Sequence, residues 1–161
     1  MNTRYIDFIN QTFDFPQDEF YVKDDSLHFH GIDLMKLVKT YGAPLKFTYL
    51  PQISNNINRA RSWFKAAMER HNYAADYHYC YCTKCNHFSH VISEALKHNV
   101  NLETSSAFDI DLIINLLKDN KIDKKRTILH NGYKTDDHLK KIIRLQKMGF
   151  ENSVTILDSV N

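Results

Sequence analysis

The stretch Tyr77-His78-Tyr79-Cys80-Tyr81-Cys82-Thr83-Lys84-Cys85-Asn86 decides how this chain is read. Side chains alternate across a β-strand. A strand over 77–83 therefore puts Tyr77, Tyr79 and Tyr81 on one face and His78, Cys80 and Cys82 on the other, with Lys84 continuing the second set. The tyrosine face is expected to pack beneath helices, and the small face to point into a crowded interior. Lys84 then lies at the C-terminal end of the strand, on the inner side. Parallel α/β architectures collect ligands and catalytic groups at that end. An amine held off from water above small thiols is set up as a nucleophile toward carbonyls. A solvated lysine just past a strand is the plainer reading of the same residues, and both stand at this level.

Outward from this stretch, strands and helices alternate. Leu45–Leu50 reads as a strand between Pro44 and Pro51. Residues 53–70 form an amphipathic helix with Ile57, Ala60, Trp63, Phe64 and Ala67 at three- and four-residue spacing, which makes the lone Trp63 a core residue. Helices over 87–98, 106–118 and 135–148 separate short strands over 100–103, 127–130 and 154–157. Ser106 with Asp109 three residues on is a capping box. Alternation of this kind predicts a parallel sheet with helical crossovers. The region after residue 75 supplies about the first four strands of a (β/α)8 TIM barrel, and a closed barrel takes roughly 250 residues. The fold class expected is α/β: a partial barrel over 44–161, preceded by a short α+β lead-in over 1–43. Within the lead-in, 5–13 reads as a short helix, Phe20–Val22 and Leu27–Phe29 as a hairpin, and Ile32–Tyr41 as a helix closed at Gly42. Half a barrel leaves strand edges unpaired and an apolar interior open, a liability for aggregation.

Composition narrows the function. The chain has 161 residues, 43% hydrophobic and 25% charged, with net charge +2. Lys/Arg and Asp/Glu are interspersed, so no basic face for nucleic acid is advertised. No apolar run approaches the ~20 residues of a membrane helix. The first residues lack the apolar run of a signal peptide, so a cytoplasmic location is expected. The three cysteines, Cys80, Cys82 and Cys85, are odd in number and clustered, which is not a disulfide framework. With His78, His87 and His90 they compose a zinc-like pattern. However, Cys80 and Cys82 share one strand face, no second cysteine pair exists, and buried inert thiols are the simpler account. No metal is assigned.

Other strand ends line up with Lys84. Glu103-Thr104-Ser105-Ser106, His130-Asn131-Gly132-Tyr133-Lys134 and Asp158-Ser159 all fall at one rim of a parallel sheet.

Together these residues resemble the N-terminal part of pyridoxal-phosphate-dependent decarboxylases of basic amino acids, the alanine-racemase-like barrel class. Tyr81-Cys82-Thr83-Lys84-Cys85-Asn86 resembles that family's Tyr-x-x-Lys-x-Asn, whose lysine joins the cofactor as a Schiff base. Gly42-Ala43-Pro44-Leu45-Lys46-Phe47-Thr48-Tyr49 is similar to the strand that precedes the barrel. Leu102-Glu103-Thr104-Ser105-Ser106 is similar to an acidic strand end and helix start. His130-Asn131-Gly132-Tyr133-Lys134 resembles the Asn-Gly-Tyr-Lys of biosynthetic arginine decarboxylases. The resemblance implies pyridoxal 5'-phosphate as cofactor, Lys84 as the catalytic and attachment residue, and Cys82 and Glu103 as cofactor-lining residues. It implies arginine as substrate, converted to agmatine and carbon dioxide in polyamine biosynthesis, ahead of diaminopimelate or ornithine. It also implies a homodimer for the full-length family. The family's phosphate-binding glycine-rich turn, its ring-stacking histidine and its C-terminal β-domain have no counterpart here. The expectation is a fragment of such an enzyme, inactive by itself. A non-catalytic decarboxylase-like partner subunit and a small zinc-binding α/β protein are the alternatives.

Overall fold

A computed structural model describes residues 3–4 and 19–157. The helix expected over 5–13 and the rim residues Asp158 and Ser159 lie outside the described residues. The chain divides into two compact units, Met1–Thr48 and Tyr49–Asn161.

The first unit is a four-stranded antiparallel sheet in the order β1-β2-β3-β4, made of β1 (Thr3–Arg4), β2 (Phe20–Lys23), β3 (Ser26–Phe29) and β4 (Ile32–Asp33). The expected hairpin is β2–β3, with Phe20 opposite Phe29 and Lys23 opposite Ser26. Phe29 is buried against the rings of Phe20 at 4.8 Å and Phe47 at 5.7 Å. Helix α1 (Leu34–Tyr41) begins two residues later than its apolar spacing suggested. Ile32 and Asp33 first pair with β3, and the Asp33 carboxylate then accepts the Lys36 N–H as an N-cap. Leu45–Leu50, expected as a strand, joins no described sheet, and Leu50 already belongs to the next helix. Proline donates no N–H to a ladder, and Pro44 and Pro51 bracket the segment; Pro51 instead sits in the first turn of that helix.

The second unit is built from α2 (Leu50–Arg70), β5 (Cys80–Cys82), α3 (Ser89–Leu96), β6 (Asn101–Thr104), α4 (Ala107–Lys118), β7 (Ile128–His130), α5 (Asp136–Lys147) and β8 (Ser153–Thr155). The strands form one open parallel sheet, β5-β6-β7-β8. Register places Cys82, Glu103, Leu129 and Val154 in one row, and Tyr81, Leu102, Ile128 and Ser153 in the next. Alternation makes these rows opposite faces. Leu102 and Ile128 are fully buried among Ile92, Ile110, Ile113, Ile142, Leu145 and Phe150 from the helices and their connections. Each such side chain contributes on the order of 2 kcal/mol by leaving water. The other row is only partly covered, and Val154 is 47% exposed.

Two expectations about packing are corrected. The tyrosine face does lie under helices, since Tyr79 and Tyr81 pack on Ile57, Ala95 and Val100. The strand itself is shorter than 77–83, spanning only Cys80–Cys82. Trp63 is not core: it is 65% exposed, and the Arg59 guanidinium lies 5.2 Å from its ring centre. The cause is that α2 reaches the core through Ile53 and Ile57 alone. A Ser54–Glu94 hydrogen bond of 2.7 Å ties the same end to α3. Further along α2, Phe64 stacks on Tyr77 at 4.1 Å, outside the core.

The Ser106 cap expected at α4 is present, with Asp109 reaching back one residue further than in a standard capping box. The Ser106 hydroxyl accepts the Asp109 N–H at 3.4 Å, and the Asp109 carboxylate accepts the Ser105 N–H at 2.7 Å. Replacing Ser106 by alanine is expected to cost about 1 kcal/mol, read as a lower midpoint in urea with an unchanged slope.

Candidate active site

The C-terminal ends of β5, β6 and β7 bring the sequence-predicted residues to one rim. Pairing of β5 stops just after Cys82. The Thr83 N–H and hydroxyl both donate to the Glu103 carbonyl, at 3.0 and 2.9 Å, and Thr83 is fully buried. The chain then turns through Thr83–Cys85. The Cys85 N–H donates to the Cys82 carbonyl at 3.2 Å. The Tyr81 hydroxyl donates to the Asn86 carbonyl at 2.8 Å. Tyr81 and Asn86 thus brace the turn from both sides of Lys84. The turn leaves Lys84 exposed, where simple alternation predicted a sheltered amine. Alternation ceased to apply once the strand ended two residues before it.

Cys82 and Glu103 are register partners on the partly covered face. Burial pushes the Cys80 and Cys82 thiols up from the ordinary thiol range, and the negative charge of Glu103 adds to this. Both therefore stay protonated at neutral pH. Asn131 donates from Nδ2 to Glu103 Oε1 at 3.1 Å and accepts the Gly132 N–H at 2.8 Å. Lys134 donates to the Ile156 carbonyl at 3.1 Å and to the Gly132 carbonyl. The Asn-Gly-Tyr-Lys segment is thereby fastened to the acidic end of β6 and to the residue after β8.

Sequence reading overlooked the polar layer under this rim. His130 is fully buried, with Nδ1 2.8 Å from the Thr104 hydroxyl and Nε2 2.9 Å from the Ser153 hydroxyl. Burial, then the nearby His138 and Lys134, lowers its pKa to about 4. The signal was legible in part: Thr104 and His130 each stand two residues after an apolar residue, Leu102 and Ile128, on the same strand face.

Part of what a phosphorylated aldehyde cofactor needs is present at this rim. Lys84 Nζ enters no hydrogen bond or ion pair among the described residues, so the amine is free to condense with a carbonyl. Ser105 Oγ, at the same rim, is buried and has no hydrogen-bond partner among the described residues. A bound polar group would satisfy it. These features fit the attachment point of such a group. The described residues supply no glycine-rich cradle for its phosphate. No cluster of three or more His, Cys, Asp or Glu among them could hold a metal ion. A cavity of about 660 Å³ lies apart from the rim, lined by Arg61, Lys65, Glu69, Tyr73 and Asp76 among others. No described helix is long and apolar enough to cross a membrane.

No family model matches the chain. Curated proteins do. Biosynthetic arginine decarboxylase 2 of Synechocystis sp. is 26% identical over 139 residues, which cover 78% of this chain and 21% of that protein. The biosynthetic arginine decarboxylase of Nostoc sp. is 25% identical, covering 81% of this chain and 20% of its own length. That of Geobacter sulfurreducens is 24% identical, with shares of 79% and 21%. The chain spans about a fifth of the length of these relatives. Over that span it is a distant homologue of biosynthetic arginine decarboxylases.

Proposed function

We propose that this chain carries the cofactor-anchoring segment of a pyridoxal-phosphate-dependent decarboxylase of basic amino acids, with arginine as the first candidate substrate. The parallel sheet and its helices are the opening part of that enzyme's barrel. The observation that carries the reading is the braced turn at Lys84. Its amine is unengaged, it stands at the C-terminal end of a parallel strand, and it lies in a segment homologous to arginine decarboxylases.

Lys84 holds the cofactor covalently through Nζ. Cys82 lines the face beneath it as a small neutral group. Glu103, oriented by the Asn131 amide, supplies a fixed negative charge that favours protonated nitrogen close by. Bound pyridoxal phosphate supplies the electron-accepting ring that lets an α-carboxylate leave as carbon dioxide. The partner expected for the whole enzyme is a second copy, and the location is the cytoplasm. Diaminopimelate and ornithine remain the alternative substrates.

Incubating the purified chain with pyridoxal phosphate, reducing with borohydride and mapping peptides tests the attachment. The label is expected on the peptide that holds Lys84, and K84A removes it. Equal labelling of Lys65, Lys118 and Lys84 overturns the assignment, because it is what surface amines give indiscriminately. The 161 residues alone are expected to show no turnover of arginine.

A further inference from the structure

The turn that carries Lys84 also brings two thiols together. Cys82 and Cys85 are separated by Thr83 and Lys84, and the Cys85 N–H to Cys82 carbonyl bond of 3.2 Å closes the turn between them. Burial first, then the Glu103 charge and the neighbouring Cys85 thiol, push the Cys82 thiol up from the ordinary thiol range. Access is unequal. Cys85 is exposed and Cys82 half-buried. This is the arrangement of an attacking thiol and a resolving thiol. Cys80 is held differently, half-buried with its sulfur 4.0 Å from the His78 carbonyl.

We propose that Cys82 and Cys85 form a reversible dithiol–disulfide pair that clamps the turn bearing Lys84, with a small-molecule disulfide such as oxidised glutathione as oxidant. The Cys85 thiolate attacks one sulfur of the oxidant, a mixed disulfide forms, and one glutathione leaves as thiol. The Cys82 sulfur, after losing its proton to solvent, displaces the second glutathione. Two protein thiols are oxidised to one disulfide, and one oxidised glutathione is reduced to two thiols. Lys84 lies inside the four-residue loop that this bond closes. Oxidation therefore fixes the backbone that aims the amine, which bears on cofactor attachment; that consequence rests on the function proposed above, whereas the disulfide does not. In reducing surroundings such a pair is a sensor rather than a staple.

The test equilibrates the full chain in buffers of graded reduced to oxidised glutathione, blocks free thiols with N-ethylmaleimide, and maps the cysteine peptides. A Cys82–Cys85 link with Cys80 still alkylated, reversed by dithiothreitol, is the expected result. C85S should leave Cys82 alkylated throughout. Glutathione retained on Cys85, a Cys80–Cys82 link, or three alkylated cysteines at every ratio overturns the pair. A second arm measures borohydride-trapped labelling of Lys84 by pyridoxal phosphate in both states. Oxidation should slow labelling roughly threefold or more through misplacement of the amine, with no redox effect in C85S. Equal rates in the two states overturn the clamp. Absence of Lys84 labelling in both states, with the disulfide formed, overturns the anchoring role and leaves the thiol pair standing.

Discussion

Acidification from pH 7 to pH 4 is expected to remove about 3 kcal/mol of folding stability through His130 alone. The ring is fully buried between the Thr104 and Ser153 hydroxyls, and its pKa falls from 6.5 to about 4. The folded state therefore keeps it neutral where the unfolded chain binds a proton. Between pH 6.5 and 4 the unfolded state holds more protons, so stability rises with pH in that window and is lost as pH falls through it. The groups facing His130 reinforce the sign. His138 meets it edge to face at 6.3 Å, and Lys134 adds positive charge. Urea denaturation across this range, in the wild type and in H130Q, isolates the contribution, because carboxylates titrate in both proteins. The wild type should show a steeper dependence by about one proton. Identical slopes, or a folded-state NMR titration of His130 near 6.5, would contradict the assignment.

Substituting Gly132 by alanine is expected to destabilise the second unit by about 2 to 4 kcal/mol. Two causes combine. Gly132 has φ of +72°, where an L side chain is strained. A β-carbon there would also stand 2.8 Å from the Ser105 carbonyl oxygen, a backbone atom that cannot swing aside. G149A is the comparison. Its φ is +94°, but the nearest atom is the flexible Lys124 side chain at 3.5 Å. That variant should carry the conformational strain alone, about 1 kcal/mol. If both variants lose equal stability in urea, the close approach of the Asn131-Gly132 turn to the β6 end is not what demands glycine. Because Asn131 also holds Glu103, G132A should disturb the rim as well as the fold.

Legibility in the sequence followed local physics. Strand and helix order after residue 75 was readable because each helix carries apolar residues at three- and four-residue spacing, as Ile110, Ile113 and Ile114 do in α4. Ser106 and Asp109 marked its start, and the cap formed as expected. Failures came where tertiary context outweighed pattern. Trp63 and Phe64 lie on an apolar stripe of α2, yet only Ile53 and Ile57 near the start of the helix find a partner in the core. Leu45–Leu50 has strand composition, yet it joins no strand among the described residues, and its last residue opens α2. At the site, parity set Cys80 and Cys82 on the face opposite Tyr79 and Tyr81, but the row that Cys82 shares with Glu103 needed the strand register. Parity misdirected Lys84, because it holds only while the backbone stays extended. The hydrogen bond from Tyr81 to Asn86 across the turn depends on three-dimensional closure that spacing alone does not express. The buried His130 layer, by contrast, left a mark in the sequence, since Thr104 and His130 each follow an apolar residue two places earlier on the same face of a strand.

The position of Trp63 dictates how this molecule can be watched. Its indole already stands mostly in water beneath a guanidinium, so its emission begins near the wavelength of the denatured chain and hardly moves on melting. Fluorescence titrations will understate every transition. Far-ultraviolet dichroism, or the absorbance of Tyr79 and Tyr81 as they leave the interior, will report the true midpoint.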